Sequence, residues 1–449
     1  MNCRFSPLLL ASLALLQACT TAPNQSLDLN EIQADIETRT GAAIARDQKD
    51  PSAQRALATL RAEPLTEDNA VRLALLQSPA LQAEYQRLAV SYADVVQAGR
   101  LSNPQLHVTP GFSLDGGATR IAAGLVFNFL ELLTRRTTIE AASFEFETTK
   151  AQIVGTVVAH ASAVRRAHAD YIAARERVAL AETKQALAKT RREVARQLYT
   201  ANEVDLQRVS LEEQAYLNTR ADVETTKADL ISTGETLRLR VGLQNLDRMN
   251  IPQADAVQDL YLPNFDAASM VTLEWRPDLI TARANIGHLE ALKRQQRRGL
   301  VIGSAEAGVE LEREDSENFV GPSVSVQLPV FDQGQVQIAR VDALLKQANY
   351  NLEQSELQAL TELKTAFGNV EAARSVTSLR EGQQMSAANA NLRLTEQFFN
   401  AGEADIFAVF DARTNLLDLK SSVINARLEL RHARYAVNEA MGGIPATRF

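Results

Sequence analysis

The feature that most limits how this chain can fold is a repetition. Tyr199-Thr200-Ala201-Asn202-Glu203-Val204-Asp205-Leu206 returns 200 positions later as Phe399-Asn400-Ala401-Gly402-Glu403-Ala404-Asp405-Ile406. Each stretch is a short polar break between two long helical segments. Each is followed by an apolar heptad stripe: Val209, Tyr216, Val223, Leu230 and Leu237 in the first, Val409, Leu416, Val423, Leu430 and Val437 in the second. The same offset reaches Gly242 and Gly442. A register held for about forty residues marks an internal duplication built on helical hairpins.

Proline placement says where those helices run. All 13 prolines lie outside residues 111–251 and 330–444. A proline inside a helix removes a backbone hydrogen bond and clashes with the preceding turn, so these gaps are where unbroken helix is expected. Helix is predicted from about Arg135 to Leu198 and from about Gln335 to Phe398. At ~1.5 Å per residue each would be roughly 100 Å long. Helices of that length need lateral partners. The stripe Leu345, Leu352, Ala359, Ala366, Ala373 has the spacing of left-handed packing. Gly155 and Gly368 interrupt the two runs and mark bends or close contacts.

Before each long helix the period changes from helix to strand. A helix is predicted from Leu65, with Thr66 as N-cap, through Ser78-Pro79 to about Gly99. Its counterpart is predicted from about Ser269 through Arg276-Pro277 to Arg298. Strands are then expected over about 104–114 and 119–131. Leu106, Val108, Pro110, Phe112 and Leu114 alternate with His107, Thr109, Gly111 and Ser113, and Asp115-Gly116-Gly117 is a turn signal. The second copy repeats this over about 301–312 and 320–331, around a charged turn from Glu314 to Asn318.

Strands of about ten residues, apolar on one face and small or polar on the other, have the length and dyad pattern of transmembrane β-strands. The alternative is a four-stranded sheet on a soluble core, since four strands cannot close a barrel alone. Glu306, Glu310 and Glu312 share one strand face, which suits a water-filled lumen better than a packed interior. No apolar window is long enough for a transmembrane helix, so any crossing of a membrane would be as a closed β-barrel.

The first residues carry an address. Residues 1–18 read as a signal peptide: Arg4, an apolar core from Leu8 to Leu16, then Leu16-Gln17-Ala18-Cys19. This matches the bacterial lipoprotein signal, in which the Cys is acylated and becomes the mature N-terminus; the alternative is an ordinary cut near Ala18. Thr20 follows Cys19 where an Asp would signal inner-membrane retention. With Cys3 removed the mature chain has one Cys and no internal disulfide. Residues 19–64 read as an extended tether with short helices, 65–242 as the first repeat, 243–268 as a linker, 269–443 as the second repeat and 444–449 as a tail.

The remaining composition excludes more than it indicates. A formal net charge of −8 argues against nucleic acid as a partner. His107, His160, His168, His288 and His432 are dispersed, with no paired-ligand or phosphate-loop pattern. The five methionines are scattered and offer no thioether relay. No catalytic residue, metal site or cofactor is expected beyond a covalent lipid on Cys19.

Two copies of helix, strand, turn, strand, long helix, break and return helix resemble the TolC-like outer-membrane efflux family. The motifs that carry the resemblance are Leu65-Thr66 with Ala70, Ala74 and Leu75, then Ser78-Pro79-Ala80-Leu81; Leu328-Pro329-Val330-Phe331-Asp332-Gln333-Gly334; and Phe399-x-Ala401-Gly402-Glu403. The resemblance covers the chain from about Leu65 to Gly443.

The resemblance implies a mainly α chain with a transmembrane β-barrel portion. Three copies would give four strands each to a 12-stranded barrel in the outer membrane, and their helices would continue it as a periplasmic α-barrel. His107, Glu306, Glu310 and Glu312 would face the lumen. The tips, Thr200–Asp205 and Asn400–Asp405, would meet a periplasmic adaptor (a membrane fusion protein) and, through it, an inner-membrane transporter. Asn202, Glu203, Asp205, Gly402, Glu403 and Asp405 are the docking candidates. For the acids, capping of the next helix is an equal and compatible role. Gly402 is the residue suited to positive φ, and Asn202 the next most tolerant.

Some relatives close the periplasmic end with rings of Asp. Alignment on Gly402 places Asp411 at one ring position and Ala408 at the other, so one ring is missing and Asp411 is the single gate candidate; otherwise it is an ordinary exposed heptad position. The function implied is a passive exit duct of a tripartite efflux pump. The alternatives are the outer-membrane component of type I protein secretion, or a lipid-anchored periplasmic coiled-coil spacer without a pore.

Overall fold

The computed structural model describes residues 29–44, 51–112, 120–246, 249–252, 263–299, 305–314, 317–327, 330–331 and 333–443. Cys19 and the signal, Asp115-Gly116-Gly117, residues 301–304, residues 247–248 and 253–262 of the linker, Leu328, Pro329 and Asp332 of the strand-to-helix junction, and the tail fall outside these residues. The described residues form two compact units, one within 29–32, 86–150 and 281–351 and the other within 33–85, 151–280 and 352–443. Among the described residues no helix is long and apolar enough to cross a membrane.

Two short helices, α1 (Leu29–Thr40) and α2 (Pro51–Ala62), occupy the tether. The helix expected from Leu65 to Gly99 is in fact two, α3 (Glu67–Gln77) and α4 (Pro79–Ala98). Thr66 caps α3 as expected, its hydroxyl accepting the Asn69 N–H at 3.3 Å. Ser78 ends it in extended geometry (ψ 119°), because the residue before a proline is forced out of the helical region; Pro79 then starts α4, where a missing N–H costs nothing. The second copy breaks in the same way at Arg276 (ψ 126°), giving α7 (Phe265–Trp275) and α8 (Pro277–Gly299). α7 begins four residues earlier than expected because Asn264 is its cap, accepting from Asp266 N.

The strands form one antiparallel meander, β1 (Gln105–Gly111), β2 (Arg120–Asn128), β3 (Ala305–Glu314) and β4 (Glu317–Val326), in that order. β2 and β4 are shorter than expected at the helix side: β4 ends at Val326, and the first long helix starts at Leu130, where Asn128 Oδ1 accepts the Leu130 N–H at 3.1 Å, rather than after a strand to 131. The second charged turn is tighter than expected, since Glu314 already pairs with Glu317.

The first long helix, α5 (Leu130–Thr200), runs 71 residues without interruption, and α6 (Leu206–Val241) returns from it. The second, α9 (Gln335–Leu379), continues through a π turn at Arg380–Gln384 into α10 (Met385–Asn400), and α11 (Ile406–Ala440) returns. The irregularity expected at Gly155 or Gly368 therefore lies at neither. Gly155 is a close contact, since a Cβ there would lie 3.2 Å from Pro277; Gly368 faces open space.

The π turn has a sequence cause. Above it, Ala167-His168-Ala169-Asp170-Tyr171-Ile172-Ala173-Ala174-Arg175 matches Ala366-Phe367-Gly368-Asn369-Val370-Glu371-Ala372-Ala373-Arg374, 199 positions on. Burial agrees, with Val164 and Leu363 both fully buried. At the breaks the offset is 200. One extra residue has entered the second copy between these points, and a π turn is how a helix accommodates a single insertion.

None of the residues of the three heptad stripes is exposed. Leu363, Ala366, Val370, Val437, Ala440 and Met441 form a core with Ala268, and Phe265 meets Phe367 edge-on at 5.6 Å. The helix ends pack alike in both copies. Gly242 (φ 79°) and Gly442 (φ 77°) lie so close to Ser78 and to Arg276-Pro277 that an added Cβ would fall 3.1 Å from the facing Cα.

Candidate functional site

Two places could carry function, the sheet and the hairpin tips, one in each unit. Across the sheet the register aligns His107 with Gly124, Glu310 and Gly321, and Thr109 with Ala122, Glu312 and Phe319. Asn128, Glu306 and Ser325 form a third row. Directly paired residues share a face, so His107, Glu306, Glu310 and Glu312 lie together on the polar face. Arg120, on the same face, is ion-paired with Glu312. The His107 imidazole occupies the space above Gly124, and a Cβ there would collide with it. Sequence reading missed both Arg120 and this fit; the signal was a glycine and a cation at polar-face positions of β2.

The other face is apolar except at its far end, where the row of Pro110 and Ile121 continues into Arg313 and Asn318. Leu106, Leu125, Val309 and Pro322 form one row, and Val108, Ala123, Leu311 and Val320 the next. The large side chains among them, with Phe127 and Val324, are exposed. A contiguous uncovered apolar face of this kind marks contact with a membrane or another protein.

The tips are nearly identical in backbone. Asn202 (φ 60°) and Gly402 (φ 76°) both adopt the left-handed conformation. Glu203 N–H donates to Leu198 O at 2.8 Å and Glu403 N–H to Phe398 O at 2.9 Å, the closing bond of a Schellman turn. Asp205 and Asp405 cap the return helices, accepting from Arg208 N (2.9 Å) and Phe407 N (3.4 Å). Glu203 and Glu403 are exposed at the turn.

Behind the first tip lies an ion-pair cluster that sequence reading did not identify. Arg191 donates to both oxygens of the buried Glu212 (2.8 and 3.0 Å) and to Asp411 (2.7 Å), while Arg208 lies 3.3 Å from Glu212 and 3.7 Å above the Phe407 ring. The charge of Asp411, the gate candidate, is thus balanced by a cation of its own chain. At the second tip the matching positions are Asn391, Ala408 and Ala412.

The histidines of the helices have structural partners. His168, fully buried, is 2.9 Å from Leu65 O, His160 is 2.9 Å from Arg240 O, and His288 is 3.0 Å from Ala141 O. No cluster of His, Cys, Asp and Glu able to hold a metal occurs among the described residues.

Comparison with known proteins fits this geometry. Residues 270–443 match the sequence profile of the outer membrane efflux protein family. Among solved structures, the outer-membrane channel OprN superposes with a TM-score of 0.72 at 16% identity, covering 91% of this chain and 95% of that one. The outer membrane protein VceC of Vibrio cholerae gives 0.71 at 16% identity over 86% and 98%. The CmeC outer membrane channel of Campylobacter jejuni gives 0.70 at 13% identity over 90% and 89%. A search of characterised sequences returned no match. OprN and CmeC are both outer-membrane channels. The second repeat carries the sequence pattern of the outer membrane efflux protein family, and the chain as a whole has the fold of the TolC-like channels.

Proposed function

We propose that this protein is the outer-membrane exit duct of a tripartite efflux system. The observation that carries the reading is the four-stranded meander, with two free edges and one uncovered apolar face, in a chain with an efflux-channel fold. Four strands leave unpaired backbone that a bilayer does not tolerate; three copies in a 12-stranded barrel would satisfy it, with the apolar face to lipid and the row of His107, Glu306, Glu310 and Glu312 to water. The helices would extend the duct into the periplasm.

Acylation at Cys19 adds an anchor, secondary to a spanning barrel. The tips, from Asn202 to Asp205 and from Gly402 to Asp405, dock on a periplasmic adaptor, which couples the duct to an inner-membrane transporter. Asp411, held by Arg191, is the gate residue. The protein itself is passive.

A Cys19→Ser variant exported by an ordinary signal tests this. It should stay in the outer membrane through carbonate washing and run as a trimer. Release as soluble protein, while the parent stays bound, would leave the lipid as sole anchor and favour the spacer without a pore. Retention of a trimer that supports secretion of a protein, but no small-solute efflux, would favour the type I secretion reading.

A further inference from the structure

Beside the place where α11 ends and α8 begins lies an open cavity of about 520 Å³, walled by α5, α9 and α11. Its size falls within the ~300–1,000 Å³ of sites that take a drug-sized molecule. Its floor is apolar and close-set. Val158, Ala366 and Ala440 are buried, and Gly155 lies so near Pro277 that an added Cβ would fall 3.2 Å from it. Its rim is acidic. The side chains of Asp278, Glu362 and Glu439 are 50%, 43% and 38% exposed, so all three carboxylates reach water.

Two guanidiniums answer those three carboxylates. Arg276 bridges Asp278 (2.9 Å) and Glu362 (2.6 Å), and Arg166 holds Glu439 at 2.5 Å. Among the described residues that line the cavity Arg276 is the one cation, and the cluster keeps a surplus of one negative charge. The fold does not call for this charge. At the offsets of 198, 199 and 200 that relate the helices of the two copies, Asp278, Glu362 and Glu439 correspond to Ala80, Ala163 and Leu239, and Arg276 to Ser78. The first junction closes in the same way regardless, with Gly242 against Ser78 as Gly442 is against Arg276. The carboxylates are additions to a junction that already packs without them.

We propose that this cavity binds an organic cation with an apolar body, such as an aryl-substituted ammonium or phosphonium. The body rests on the floor of Val158, Ala366 and Ala440, and the charge lies among Asp278, Glu362 and Glu439. The surplus charge selects a cation over an anion of the same shape; the apolar floor selects a greasy cation over a hydrated ion. The site is complete within one chain. That solutes of this class meet it in transit rests on the channel reading above.

Tetraphenylphosphonium is the probe, and tetraphenylborate, an anion of the same shape, is its control. Equilibrium dialysis against the full chain in lipid discs should show saturable uptake of the cation beyond that of empty discs, one per chain, and no saturable uptake of the anion. Glu362→Gln, which keeps an acceptor for Arg276, should weaken binding about five-fold. Ala159→Phe, at an exposed position on the cavity wall, should abolish it without moving the thermal midpoint. Equal uptake of both ions overturns the proposal, as does uptake that neither variant reduces. Binding that appears only after residues 444–449 are deleted gives the cavity to Arg448 of the chain itself and overturns it too. Export of the cation from cells reads the channel separately. Binding without export keeps the site and sinks the duct; export without binding does the reverse.

Discussion

The two hairpins share a backbone and differ in almost everything attached to it. Both tips close with the same turn and the same aspartate cap, yet the first is backed by Arg191, Arg208 and Glu212 where the second has Asn391, Ala408 and Ala412, and Phe407 and Phe410 of the second pack on Ala195 of the first. Higher up, Glu67 and His168 of the first copy stand where the second has Phe265 and Phe367. The difference teaches which residues set the fold. Left-handed Asn or Gly, a capping Asp and a heptad stripe suffice for the hairpin; the interior between hairpins can be met with charge or with rings.

The sharpest way to break that equivalence is Glu212→Ala. Removing one partner of a buried ion pair costs about 3–5 kcal/mol; Arg208 would lose its carboxylate and Arg191 would keep only Asp411. Hydrogen exchange of the α6 amides should accelerate accordingly. The triple variant Arg191→Asn/Arg208→Ala/Glu212→Ala, which copies the second hairpin, should recover most of the protection; failure to recover would show that the charges do more than fill space.

Leu363→Ala comes next, with a loss of about 2–5 kcal/mol for an emptied core site, read as the denaturation midpoint of the second hairpin. At the tips, Gly402→Ala should cost about 1–2 kcal/mol, since an L side chain is strained at φ 76°. Asn202→Gly should cost nothing; equal effects at both sites would deny that the two turns are alike. In the long helices, Gly368→Ala faces open space and should gain about 1 kcal/mol, read as a raised thermal midpoint. Gly155→Ala meets Pro277 and should gain less.

The smallest effect is one of pH. Burial pushes the Glu67 carboxyl above its ordinary value of 4.5, against the pull of the Tyr435 hydrogen bond and of Arg165. A carboxyl raised by folding contributes stability that is complete below the unfolded value and drains away as pH rises through the folded one. Glu67→Gln removes that dependence while leaving Tyr435 an acceptor. Its thermal midpoint relative to the parent should climb from about pH 4.5 toward neutrality; a relative fall would place the carboxylate among the stabilising groups.

Much of this architecture was legible in the sequence because its signals are local. Thr66, Asn202, Gly402, Asp205 and Asp405 announce caps and turns through their own backbone preferences, and alternation set the faces of His107, Glu306, Glu310 and Glu312. What was missed depends on the partner across the gap. Nothing near Arg191 in sequence points to Glu212 or Asp411, which lie on other helices. The breaks at Ser78 and Arg276 were visible in their prolines, but the helical period resumes on the far side and conceals them. The π turn escaped because one residue in two hundred is below the resolution of a heptad pattern.

That single turn also governs the phase of everything below it. An extra residue continued as ordinary helix would rotate the rest of α10 by about 100° and advance it by about 1.5 Å. Phe407 and Phe410 pack with Ala195 behind the tips, and a hairpin delivered a quarter-turn out of step would present them to the wrong neighbours. By absorbing the insertion locally, between contacts of Arg380 with Ser422 and of Glu381 with Arg427, the turn acts as a phase corrector. It lets one copy of a duplicated helix change length without re-aiming the end where the two copies must still agree.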